Sequence, residues 1–160
     1  MLKFVLVLAI VGVSAIAAVD ILECSEEKTK HSQADKIFVS SCAENSKLCN
    51  LKKKTDVNLE VKFTAPENIE KLDNSVHAKL FGIPFPFIGV DGTSVCNKIF
   101  KASDGSKSEC PLKAGEEYIY KDSFPVQEIY PKVRVQVHWN LLYGNNKSAF
   151  CFEIPAKIVS

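Results

Sequence analysis

Val133-Arg134-Val135-Gln136-Val137-His138-Trp139 alternates apolar and polar side chains without a break. A period of two puts the valines and the tryptophan on one face and Arg134, Gln136 and His138 on the other, the signature of a strand with one buried and one wet side. The pattern recurs upstream, where Val57, Leu59, Val61 and Phe63 alternate with Asn58, Glu60 and Lys62, and Val76, Ala78 and Leu80 alternate with His77 and Lys79. No stretch longer than two turns carries a helical stripe. Turn signals separate the strands at Pro66-Glu67-Asn68, Asp91-Gly92, Asp104-Gly105-Ser106, Ala114-Gly115 and Gly144-Asn145-Asn146. The last of these predicts a hairpin between Trp139-Asn140-Leu141-Leu142 and a strand from Ala149 to Ile154. About seven short strands of this kind predict an all-β fold, a β-sandwich of antiparallel sheets.

The chain has 160 residues, 46% hydrophobic and 24% charged, the composition of one globular domain with no repeat and no linker. Much of the apolar surplus lies in Met1 to Ala17, which carries a single Lys3, runs apolar from Phe4 to Val13 and ends in Ala15-Ile16-Ala17. That is the pattern of a cleaved secretory signal, and the apolar run falls short of the ~20 residues that a membrane-spanning helix needs. Residues 18–160 are then a single secreted or lumenal domain, expected to act as a monomer. The formal net charge of +1 falls to near zero once Lys3 leaves, which argues against a nucleic-acid partner.

Six cysteines follow the signal: Cys24, Cys42, Cys49, Cys96, Cys110 and Cys151. In an oxidising compartment an even count predicts three disulfides, and fifteen connectivities are open. Cys42 with Cys49 and Cys96 with Cys110 would close short loops, leaving Cys24 and Cys151 to tie the two ends of the domain. No CxxC pair suggests a zinc ribbon or redox site. There is also no GxSxG elbow, no HExxH, no phosphate-binding glycine loop and no EF-hand pattern, so no enzyme, metal or cofactor is expected. His31, His77 and His138 are far apart in sequence and read as surface histidines. Lys52-Lys53-Lys54 reads as a solvated turn, with a membrane-headgroup contact as the other reading. Asn146-Lys147-Ser148 is an N-glycosylation sequon in the predicted hairpin.

Leu80-Phe81-Gly82-Ile83-Pro84-Phe85-Pro86-Phe87-Ile88-Gly89-Val90 is the unusual segment. Its phenylalanines are expected to share one strand face, while Pro84 and Pro86 remove two ladder donors and confine the segment to an edge or rim. It is either a sandwich corner with ordinary core side chains or an apolar lip that admits a hydrophobic ligand between the sheets. A second apolar stretch, Phe124 to Pro131, contains Tyr130, whose ring and hydroxyl suit a pocket mouth.

The cysteine order, the Gly82 to Phe87 lip, the Pro125-Val126 and Tyr130-Pro131 pairs, the Val133 to Trp139 strand and the ending Cys151-Phe152-Glu153-Ile154-Pro155 together resemble the ML-domain lipid-recognition family, in its sterol-transfer branch. The resemblance implies an immunoglobulin-like β-sandwich enclosing an apolar tunnel, and the pairings Cys24 with Cys151, Cys42 with Cys49 and Cys96 with Cys110. It implies that Phe87, Val126, Tyr130, Pro131, Val133, Val135, Val137 and Trp139 form a lipid pocket. Phe81, Ile83 and Phe85 would rim an entrance through which a sterol or fatty acid exchanges with membranes or a membrane-bound sterol transporter. Phe85 stands where sterol-carrying members have a smaller aliphatic residue, and Phe152 replaces a tryptophan beside the last cysteine; both bear on tunnel width. Asn58-Leu59-Glu60 breaks a strand sequon of vertebrate members, which points to an invertebrate-type relative. The other class of function that fits is an extracellular lipid-sensing immune co-receptor or recognition module without transfer activity.

Overall fold

In a computed structural model, residues 21–24, 36–42 and 46–160 are described. The expected signal segment and His31 lie outside them. The described residues form strands β1 (Leu22–Glu23), β2 (Ile37–Val39), β3 (Cys49–Lys52), β4 (Asp56–Thr64), β5 (Leu72–Leu80), β6 (Ile83–Pro86), β7 (Ile99–Lys101), β8 (Lys107–Ser108), β9 (Glu117–Pro125), β10 (Arg134–Tyr143) and β11 (Lys147–Val159). A short 3-10 turn at Cys96–Lys98 precedes β7. There are more strands than the alternation predicts because several are bridges of two to four residues, too short to show a period.

Two sheets result. The first runs β1-β11-β10-β5-β6, with β3 pairing in parallel to the far end of β11; the second runs β2-β4-β9-β7-β8. The centre of the first is the β10–β11 hairpin, in register from Arg134 opposite Lys157 to Tyr143 opposite Lys147. The Gly144 to Asn146 turn that closes it has positive φ at Gly144 and at Asn146. Alternation decides which side chains go inside. Val57, Leu59, Val61 and Phe63 of β4 are at most 1% exposed, and Val135, Val137, Trp139 and Leu141 of β10 and Phe150, Phe152 and Ile154 of β11 face them across the sandwich.

Three disulfides staple this arrangement as Cys24–Cys151, Cys42–Cys49 and Cys96–Cys110, spanning 127, 7 and 14 residues. The first closes the longest loop, and in the chain-entropy account such a closure stabilises by about 4–5 kcal/mol. The whole is an immunoglobulin-like β-sandwich.

The histidines depart from expectation. His77 and His138 lie directly opposite each other on β5 and β10, with rings stacked at 4.5 Å. His138 is only 9% exposed, although it sits on the outward face of its strand. The reason is local cover: the Cys24 and Cys151 sulfurs each lie 3.6 Å from one of its ring nitrogens, and Glu153 Oε1 is 2.9 Å from Nδ1. Cys24, His138 and Cys151 bring three ligand-type atoms together, but both sulfurs are held in the disulfide.

Candidate functional site

The β5–β6 hairpin turns through Phe81 and Gly82 with φ of 50° and 80°, the left-handed pair that a two-residue hairpin of native twist requires. Phe81 is therefore at the tip and 97% exposed, not on the strand face that the spacing of the phenylalanines suggests. Ile83 and Phe85 follow on β6, which among the described strands pairs only with β5 and carries Pro84 and Pro86 as the edge strand of its sheet. The chain then turns inward. The Phe87 amide donates to Val76 O at 3.0 Å, and the Phe87 ring is buried between Phe124 and Tyr130 in edge-to-face contacts at 5.9 and 5.5 Å.

The opposite wall is the segment between β9 and β10. Its backbone is anchored by Val126, whose amide donates to Thr55 O at 2.9 Å and whose carbonyl accepts from the Lys54 amide at 2.9 Å. Two of the three lysines hold the same segment: Lys53 Nζ donates to Glu128 O at 2.9 Å, and Lys54 pairs with the Glu128 carboxylate at 2.6 Å. Tyr130 bridges the two walls, its hydroxyl accepting the Ile88 amide at 2.9 Å while its ring rests on Phe87.

Between these walls lies an apolar cavity of about 420 Å³, open at the β6 edge. Phe85, Phe87, Tyr130, Pro131, Val133 and Val135 line it, among the residues expected for pocket and rim. Ala78, Leu80, Pro86, Ile88, Ile129 and Ile158 complete the lining and are absent from that expected set. Their signal is in the sequence as strand parity, since Ala78 and Leu80 share a face and Ile158 continues the inward series of β11. Val137, Trp139 and Phe152 do not reach this cavity. They surround a second void of only about 20 Å³ deeper between the sheets, and Phe87 lines both. Val126 is buried beside them and lines neither, while Phe81 and Ile83 stand outside on the hairpin. The apolar space is thus a wide mouth and a nearly closed interior. The rings of Phe87, Phe124, Trp139 and Phe152 fill what a continuous tunnel would need, with Trp139 and Phe152 stacked within 7° of parallel at 6.3 Å.

Asn146 is exposed on the hairpin turn at the other end of the sandwich, away from the mouth.

Comparison with known proteins gives concordant results. The family model described as the ML domain matches residues 18–158. The chain is 33% identical over 139 residues to the NPC intracellular cholesterol transporter 2 homolog a of Drosophila melanogaster, covering 86% of this chain and 87% of that protein. It is 30% identical over 124 residues to the NPC intracellular cholesterol transporter 2 of Bos taurus, covering 76% and 74%. Among solved structures, a Niemann-Pick type C2 protein from the Japanese carpenter ant superposes with a TM-score of 0.65 at 24% identity, covering 77% of this chain and 89% of that one, which supports the fold. The chain belongs to the ML-domain family.

Proposed function

We propose that this protein is a soluble carrier, secreted or lumenal, that takes up a sterol, fatty acid or similar lipid at the β6 edge and passes it to membranes or to a membrane-bound sterol transporter. The observation that carries the reading is the open cavity of about 420 Å³ with apolar walls from both sides of the sandwich. That volume lies in the range of small-molecule sites, and a mouth so apolar offers nothing to a polar metabolite. Two of the relatives bear the name of cholesterol transporters, and the chain is read as a carrier, not an enzyme. Residues 1–17 serve in this reading as the secretory signal, and no helix among the described residues is long and apolar enough to cross a membrane.

The energetics suit a shuttle. Enclosing about ten methylenes at ~0.8 kcal/mol each gives roughly 8 kcal/mol gross, micromolar binding before ordering costs. A lipid in a bilayer is already shielded from water, so transfer between two dry sites changes its apolar exposure little. The water between them is the barrier. The exposed Phe81, Ile83, Phe85, Ile88 and Ile129 around the mouth would displace that water on contact with a membrane.

The test is native mass spectrometry with lipid extraction, combined with displacement of a fluorescent sterol or fatty-acid probe. Extractable lipid and saturable displacement are expected. Phe87→Asp and Val133→Asp, both at residues that line the cavity, should each abolish uptake while leaving the three disulfides intact; uptake that survives both changes would place the pocket elsewhere.

A further inference from the structure

Trp139 is the only tryptophan of the chain, and its two sides meet different surroundings. Its ring borders the small deep void, packed against Phe124 at 5.3 Å and stacked on Phe152. Its Nε1 points the other way and donates to Asn74 Oδ1 at 3.1 Å. Asn74 occupies an inward position of β5, between Leu72 and Val76, and is 2% exposed. A polar residue buried there must find partners for every hydrogen-bonding atom, and it does. Its Nδ2 donates to the Tyr120 hydroxyl at 2.9 Å and to Thr93 Oγ1 at 3.2 Å.

The chain of bonds continues across the sandwich. The Tyr120 hydroxyl donates to the Asp122 carboxylate, whose other oxygen accepts from Lys98 Nζ at 2.7 Å. Burial, and then the neighbouring Asp122 charge, push the Tyr120 hydroxyl far above its ordinary ionisation range, so it stays a donor. Asn74 and Trp139 belong to the first sheet and Tyr120 and Asp122 to the second, so the network ties the sheets together directly behind the indole.

A lipid tail advancing from the mouth meets Phe87 first, then Phe124 and Trp139. The side chains of Phe87 and Phe124 have no polar atom, so each can turn aside at the expense of packing alone. The indole cannot turn without leaving its own N–H buried and unpaired and taking one of two donors from Asn74 Oδ1, the other being the Tyr120 hydroxyl at 3.1 Å. We propose that Asn74 is a positioning residue that fixes the depth of the lipid pocket, because its bond to Trp139 holds the indole as an end wall. This rests on the carrier reading and adds which tail lengths the carrier accepts.

The experiment is a binding series with saturated fatty acids from octanoic to eicosanoic acid, alongside time-resolved anisotropy of the single tryptophan. In the wild-type protein, affinity should rise about fourfold per added methylene and then level off once the tail reaches Trp139. In Asn74→Ala the levelling should move to longer acids, and the ligand-free anisotropy should decay faster as the indole gains freedom. Tyr120→Phe, which keeps the ring and deletes one hydroxyl, should shift both in the same direction by less, and it carries the test if Asn74→Ala does not fold. General loosening would lower affinity at every length without moving the plateau. An unmoved plateau or an unchanged anisotropy decay in a folded variant overturns the proposal. Failure of the wild-type protein to bind any acid or a fluorescent sterol, with the anisotropy response intact, would instead defeat the carrier reading and the pocket that this wall is meant to end.

Discussion

The space between the sheets is open at one end and packed at the other, although apolar side chains line both. At the mouth, Phe81 and Phe85 are 97% and 50% exposed; in the packed part, Phe63 and Phe152 are each 1% exposed. The difference lies in the backbone that carries them. Phe63 and Phe152 alternate along long strands with hydrogen-bonded neighbours on both sides, so their inward direction is repeated by every second residue. Phe85 sits on a four-residue edge strand whose two prolines withhold ladder donors, and beyond it no further strand among the described residues closes the gap. Where a strand has no outer neighbour, apolar side chains remain available for something other than the protein itself.

That contrast can be broken most forcefully in the packed half. Phe63→Ala removes a ring held between Tyr118 and Phe150 and should cost about 3–5 kcal/mol in chemical denaturation, whereas Phe85→Ala should cost under about 1 kcal/mol and slow lipid transfer between vesicles. Equal losses of stability at the two sites would mean that the mouth is part of the structural core.

Acid should separate the halves less strongly. Burial, followed by the nearby His138 and Lys79 charges, lowers His77 below its ordinary 6.5, with Asp91 and Glu153 opposing. Burial raises Glu153, but hydrogen bonds from Lys79 and His138 outweigh it and hold its carboxyl below the ordinary 4.5. For His77, the unfolded chain takes up its proton first, so the contribution is complete above about pH 6.5 and is lost as pH falls through the lowered folded value. The Glu153 contribution is present above about 4.5 and is lost below it in the same sense. Both groups lie on the outer face of the first sheet and point away from the space between the sheets. Melting temperature should therefore drop in two steps on acidification, and His77→Gln should flatten the upper one. Sterol-probe binding at the mouth should follow neither step until the protein unfolds. A pH profile that His77→Gln leaves unchanged would remove the histidine pair from the account.

The smallest effect belongs to the mouth's own ion pair. Lys54 and Glu128 have exposed side chains, and such a pair is worth under about 1 kcal/mol, so Lys54→Ala should leave the denaturation midpoint nearly unchanged. A large loss would show that the loop carrying Ile129 depends on this contact for its position.

Much of the architecture could be read from alternation alone. Val57 to Phe63 and Val133 to Trp139 announce their strands because each buries one face and wets the other, and Gly144 to Asn146 announces its hairpin. The lip was equally visible through Pro84 and Pro86, which exclude a central strand. Less visible was anything that depends on what covers a face. His138 occupies a wet position by parity, yet the Cys24–Cys151 bridge and Glu153 enclose it, and parity holds no record of a disulfide that arrives from residue 24. Asn74 was missed for a related reason. An asparagine at an inward position looks like a strand end until its partners Trp139, Tyr120 and Thr93 converge from three distant segments. The division of the apolar space into mouth and packed interior was also out of reach, since it depends on ring orientations and not on residue type.

The strand β11 comes latest among those described and bonds to β10, β1 and β3. During synthesis this gives assembly a definite order. The first sheet lacks its organising member until the segment from Lys147 to Val159 has left the ribosome, and Cys24 cannot meet Cys151 until the 127 residues of sequence separation between them have been made. The growing chain therefore carries an unpaired thiol and an uncovered apolar surface until β11 arrives to close both.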